Sequence, residues 1–367
     1  HGDNDALLDF YERVARRSED PNILLHCLER RANQPDISLE RVREAVELAI
    51  KLDQADRAEA LMLRAVEISK NLIDGASQVD WALLALAQRR RLAGDLAGAV
   101  KWLIEAAEVA ALADVVAAAA ELTPLATGPE GDLTLAVKLY ESLVERDPTN
   151  RTAWEPLARF YRQLGEVERL ERLVEETLDG IQDAKDRNVL RLELARALLA
   201  AEGRADDAVP ILNDALLENP EETAANLLLA EHLERSGNVG ELIDLLRNQL
   251  MAAQGRSDMN GIKQLSLELA NRLRASDLTE SLMVIRQALD SLPGDGELVD
   301  MLLTWGGDQL DDDERATLME RQLEHAQGDR IASLALELAD VRARMNDDEG
   351  ELRVIEQASK RLPEDTN

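Results

Sequence analysis

Residues 149–182 read TNRTAWEPLARFYRQLGEVERLERLVEETLDGIQ, and this stretch decides the fold. Trp154, Leu157, Ala158, Tyr161 and Leu164 recur at i, i+3, i+4 and i+7, the spacing of one helix face. After Gly165-Glu166 the same spacing returns in Leu170, Leu173, Val174, Thr177 and Leu178. The reading is two amphipathic helices joined by a short turn.

Neighbouring units are legible in both directions. Turn-marking residues stand at Asp53, Gly94, Gly131, Gly165, Gly203, Gly237, Ser276, Asp311 and Asn346, spaced 34 to 41 residues apart. Five residues after most of them comes a small residue: Ala58, Ala99, Ala136, Ala208, Ser281 or Ala316. Leu170 and Leu242 are larger substitutes, and Glu351 breaks the rule. A second small slot lies in the first helix, at Ala87, Ala158, Ala195, Ala230, Ala270 and Ala339. Small residues are required where two helix axes cross closely. Pro148, Pro220, Pro293 and Pro363 each follow a second helix, where a ring without an N–H does least harm. Before the first clear unit, helical patterns at Asp5–Arg17 and Asn22–Ala32 form a degenerate pair, and Pro35 breaks the chain after it. Trp305-Gly306-Gly307 must weaken or end its helix.

The order Trp-x-x-Leu-Ala-x-x-Tyr-x-x-x-Gly at 154–165 resembles the tetratricopeptide repeat, a helix–turn–helix of about 34 residues. The resemblance implies an all-α fold: a right-handed α-α superhelix, or solenoid, of nine or ten antiparallel helix pairs. Residues 1–367 would form one array, with 1–36 the degenerate pair and 39–363 the recognisable repeats. The chain opens His1-Gly2 without Met and reads as a piece of a longer protein. Solenoid ends without polar caps expose apolar faces, so self-association through the ends is expected.

Composition fits a stack of thin helical layers. Of 367 residues 45% are hydrophobic but only 2% aromatic, so Leu, Ala and Val must build the core. The net charge of −31 opposes nucleic-acid or anionic-membrane binding, since both need a basic footprint. No apolar run approaches the roughly 18–20 residues of a membrane span, and no signal peptide is visible. Cys27 is alone, so no intramolecular disulfide forms; a reducing, cytoplasmic setting is expected.

Chemistry-bearing motifs are sparse. His26, His232 and His325 sit in different units, and adjacent His26-Cys27 lacks the spacing that puts two ligands on one helix face, so no metal is expected. There is no phosphate loop, nucleophile elbow or His-Glu-x-x-His pattern, hence no catalytic residue and no cofactor. Asp311-Asp312-Asp313-Glu314 lies where a helix begins and reads as capping and dipole stabilisation. The basic run Arg89-Arg90-Arg91 is too small for a phosphate patch and reads as partners for nearby carboxylates.

The surface left to carry function is the inner face, which in the resembled family is lined by the first helices. Transferred unit by unit, it comprises Leu84, Gln88 and Arg91; Glu155, Arg159 and Arg162; Leu227, Glu231 and Glu234; Leu267, Asn271 and Arg274; and Leu336, Asp340 and Ala343. Family members that grip a peptide carboxylate use Lys and Asn at such positions; here Leu and Glu stand there instead. Leucines edged by Arg and Glu fit a helical or apolar partner segment. The expectation is a non-catalytic protein–protein interaction scaffold; the alternative is the regulatory or substrate-recruiting part of an enzyme whose catalytic domain lies elsewhere.

Overall fold

The computed structural model describes residues 2–361 apart from 19, 35–36, 73–74 and 130, so Pro35 and Pro363 lie outside the described residues. Among the described residues there are twenty α-helices and no strand. They pack consecutively, as the sequence pattern requires, in two compact units, His1–Ile211 and Leu212–Asn367.

The first unit holds α1 (Gly2–Arg17), α2 (Pro21–Ala32), α3 (Leu39–Lys51), α4 (Ala55–Ser69), α5 (Asp80–Leu92) and α6 (Leu96–Ala107). It continues with α7 (Leu112–Ala126), α8 (Leu133–Arg146), α9 (Arg151–Leu164), α10 (Val167–Thr177) and α11 (Ala184–Ala200). The division falls within α12 (Ala208–Glu218). The second unit continues with α13 (Thr223–Ser236), α14 (Val239–Gly255), α15 (Met259–Leu273) and α16 (Leu278–Ser291). It ends with α17 (Gly296–Gly306), α18 (Asp312–His325), α19 (Asp329–Arg344) and α20 (Asp348–Arg361). Odd-numbered helices are the first helices of pairs, even-numbered ones the second. In the first unit alternate helices also touch, α2 with α4, α5 with α7, α6 with α8 and α9 with α11, as stacked repeats must.

Two devices set the geometry of a pair. One is the turn. Gly165 takes φ 70°, ψ 21°, a left-handed conformation that costs a residue without Cβ least. Glu166 N–H then reaches back to Tyr161 O at 2.9 Å, satisfying a carbonyl the helix end leaves free. Gly237 repeats this with φ 72° and Asn238 N–H to Leu233 O at 3.0 Å. Asp53, Gly94 and Asn346 adopt the same left-handed backbone and lead into the next helix two residues on, so these five turns share one register. The remaining turns differ. Gly203 is left-handed but is followed by a 3-10 turn, Ala205–Asp207, before α12. Gly131 is not left-handed; a Cβ there would lie 2.2 Å from Ala126 O, so close backbone approach explains it.

The other device is the cap. Asp20, Asp95, Asp132, Asn150, Asp183, Asn238, Asp258, Asp277, Asp295 and Asp311 each accept a hydrogen bond from an N–H of the helix that follows. Part of the acidic excess is therefore spent on helix starts, where the dipole favours it. Arginines serve the opposite ends. Arg64 donates to Ala32 O (3.0 Å), Arg146 to Ala107 O and Ala110 O (both 2.7 Å), and Arg361 to Ala326 O (2.7 Å). In each case a second helix caps the C-terminal end of the second helix before it, stitching pair to pair.

The small slot of the second helices holds: Ala58, Ala99, Ala136, Ala208, Ser281 and Ala316 are buried, as are Leu170 and Leu242. In α20 the neighbour of Glu351, Gly350, takes the buried place. The first-helix slot fails once: Ala230 is only half-buried, because α13 buries Ala225, Leu229, His232 and Leu233 instead. Trp305-Gly306-Gly307 ends α17, with Gly307 at φ 44°.

Candidate functional site

Within each unit the first helices lie in sequence and are cross-linked by charge. In the first unit Arg16 of α1 meets Glu44 of α3 at 2.7 Å, and Arg91 of α5 meets Glu121 of α7 at 2.9 Å. Arg162 of α9 meets Glu193 of α11 at 2.6 Å. In the second unit Glu234 pairs with Arg272, Lys263 with Asp295 (2.9 Å) and Glu297 (3.0 Å), and Arg330 with Asp300 (3.2 Å). Two aromatic contacts belong to the same series. Arg43 lies over Trp81 at 5.5 Å, and Arg274 over Trp305 at 4.6 Å. Burial alone would push Asp295 up, but Lys263 and the Leu298 and Glu297 N–H groups outweigh it and hold the carboxyl below its usual range.

The residues chosen from sequence lie on, or just past the end of, these first helices. Arg91 donates to Gln88 at 3.0 Å, Arg159 bonds Glu155, and Asn271 donates to Leu267 O at 2.8 Å. Gln88, Arg159, Glu231, Glu234, Asn271, Arg274 and Asp340 are exposed, while Leu84, Arg91, Glu155, Arg162 and Leu267 are half-buried. Leu227 and Leu336 stand out, 58% and 62% exposed, as large apolar side chains among them. The Arg89–Arg91 run is absorbed by carboxylates: Arg89 and Arg90 bond Glu59. Asp311 caps α18. Cys27 is buried, and burial raises its thiol pKa. Among the described residues no group of His, Cys, Asp and Glu gathers as metal ligands would.

A second feature was not chosen from sequence. A groove of about 610 Å³ opens between α12 and α14, walled by Leu216, Leu217, Leu245 and Met251 and floored by Leu229 and Leu233 of α13. One crossing beside it differs from its counterparts. Eleven residues before the shared turn stand Val42, Leu83, Trp154 and Ala335, all buried; α13 has Asn226. Twelve residues after it stand Ala65, Ala106, Thr177 and Ala358, also buried; α14 has Gln249. Gln249 Nε2 donates to Asn226 Oδ1 at 2.9 Å, and Asn226 Nδ2 donates to Pro220 O at 3.1 Å. Where the four other pairs of this register bury both positions, this one holds two half-buried amides at the groove wall. Aligning the repeats on their turns would have shown the substitution; the helix periodicity, which Asn226 interrupts, conceals it.

Comparison with known proteins agrees with the fold. Residues 199–265, the end of α11 through the start of α15, match the family described as tetratricopeptide repeat. No curated protein matches the chain. Among solved structures, a chain in the structure of Naa15/Naa10 bound to HypK-THB is 13% identical, with a TM-score of 0.40 over 96% of this chain and 68% of that one. Among the described residues no helix is long and apolar enough to cross a membrane.

Proposed function

We propose that this chain, a helical-repeat protein of tetratricopeptide type, is a non-catalytic scaffold that holds a segment of another protein on its first-helix face. The observation that supports the reading is the exposure of Leu227 and Leu336 among charged side chains already ordered by cross-helix pairs. Charges fixed in advance lose little side-chain entropy when a partner arrives, and isolated leucines between them supply apolar anchors. Glu231 and Asp340, both exposed, favour a partner with basic residues beside its apolar ones.

The test is a partner pull-down with Leu227→Asp and Leu336→Asp, checked by circular dichroism. Both side chains are exposed, so the fold should survive, while capture of the partner should fall at least tenfold, about 1.4 kcal/mol. Leu267→Asp is the internal contrast: Leu267 is half-buried, and its loss should also lower the melting temperature. If Leu227→Asp and Leu336→Asp fold and still bind, the first-helix face is not the site.

A further inference from the structure

We infer that the groove between α12 and α14 is a second docking site, distinct from the first-helix face, for an amphipathic helix with a basic residue at one end. The two surfaces are separate on α13 itself. Leu229 and Leu233 point into the groove. Leu227, two residues from Leu229 and thus about 200° around the helix, points away from it.

The shape argues for a helix. Along α14 the wall runs from Glu241 to Ala252, about 17 Å or three turns at 1.5 Å per residue. The apolar lining is mainly leucine and methionine, with Leu217 82% and Met251 64% exposed, and Asn213, Asn226, Asn248 and Gln249 stand beside it. An extended peptide would need a partner for each of its N–H and C=O groups, more than Asn213 and Asn248 can supply while Asn226 and Gln249 bond each other. A helix satisfies its backbone internally and needs only an apolar stripe at i, i+3, i+4 and i+7. Exposed methionine adapts to the shape of such a stripe.

Charge selects among helices. The charged residues lining the groove, Glu241 and Asp244, are both acidic, and among the described residues no Lys, Arg or His lines it. Asp244 is paired with Arg247 at 2.7 Å, whereas Glu241 has no ion pair among the described residues. A Lys or Arg on the incoming helix would complement Glu241. A second copy of this chain, itself at net −31, meets repulsion before contact. The amide pair Asn226–Gln249 forms part of the groove wall, where an indole occupies the corresponding place in α9.

A phage-displayed library of peptides of about fifteen residues, long enough for four helical turns, tests this on the intact chain. Enriched peptides should show apolar residues at helical spacing with a terminal Lys or Arg. A synthetic representative should bind at least tenfold more weakly to Leu217→Asp and to Met251→Asp, and not at all to Asn226→Trp. Its affinity for Leu227→Asp should be unchanged, which separates this site from the first-helix face. Leu217 and Met251 are exposed, so those two variants report even if Asn226→Trp fails to fold. The inference is overturned by no enrichment, by acidic or aperiodic peptides, or by peptides indifferent to Leu217→Asp and Met251→Asp. It is overturned as well if the chain alone is a dimer that Leu217→Asp renders monomeric, for then the occupant is a second copy.

Discussion

The pairs α9–α10 and α13–α14 share a turn, a register and a helix spacing, yet the crossing is sealed by buried side chains in one and left half-buried in the other, with grooves of about 290 and 610 Å³ beside them. Gly165 and Gly237 have nearly identical backbones, and fourteen residues of α9 stand against fourteen of α13. In the sealed pair Trp154 and Thr177 are both fully buried, and Phe160 meets Tyr140 edge-on with centroids 5.5 Å apart. In the open pair the corresponding residues are Asn226, Gln249 and His232. The repeat's outline is thus set by turn and cap, while what fills the crossing varies from pair to pair. The filling is tight enough that Trp154 Nε1 and Thr177 Oγ1 are buried without a hydrogen-bond partner among the described residues. Packing of the indole outweighs two orphaned polar atoms, each a cost of about 1–3 kcal/mol.

The comparison breaks most sharply by exchanging the crossing. Trp154→Asn should destabilise the chain by about 3–5 kcal/mol, the usual range for losing a buried Trp side chain, with the new amide adding a polar group to bury. Adding Thr177→Gln should recover about 1 kcal/mol, by allowing the hydrogen bond seen between Asn226 and Gln249. Urea unfolding of the single and double variants measures both. A Trp154→Asn variant as stable as the parent would show that the indole is not what seals the pair.

The small slot is the next contrast. Ala158 is fully buried at the axis crossing, while Ala230, its counterpart, is half-buried. Ala158→Leu should overpack and cost about 1–3 kcal/mol, and Ala230→Leu less than about 1 kcal/mol. Equal losses in thermal melts would mean that α13 crosses α14 as closely as α9 crosses α10.

These particulars mark what the sequence could tell. Periodicity at 3.6 and the regular turn markers place nearly every helix, because both depend on local spacing. The small slots are mostly legible for the same reason. Ala230 and Asn226 are not, since their meaning depends on which residues of a neighbouring helix they face. Of the leucines read from sequence on the first helices, Leu227 and Leu336 are exposed while Leu84 and Leu267 are half-buried, a difference the spacing alone does not give. The cross-helix ion pairs were not legible either, because Arg162 and Glu193 lie 31 residues apart and belong to different pairs. An abundance of Arg and Glu on every helix gives no hint of which will meet.

The mildest contrast is a matter of protons. Tyr161 of the sealed pair is buried, and its hydroxyl donates to Glu141 of α8. Arg169 of α10 lies over the ring at 4.8 Å and bonds both Glu141 and Glu166. Glu145, Arg172 and Glu176 line the same shallow pocket. Burial first, and then the Glu141 carboxylate, push the tyrosine's ionisation well above its ordinary range, although Arg169 pulls the other way. Leu233 holds the same place in the open pair and cannot ionise. The folded chain therefore binds this proton more tightly than the unfolded chain. That contribution is fully present below about pH 10, where an unfolded tyrosine ionises, and is lost as pH rises beyond it, by at most about 1.4 kcal/mol per pH unit. Tyr140 is also raised by burial and contributes to the parent and a Tyr161→Phe variant alike. The difference between their stability curves should be flat below pH 10 and should narrow above it. Curves that stay parallel to pH 11 would show that the hydroxyl is no more bound to its proton when folded than when free, and that Glu141 does not hold it.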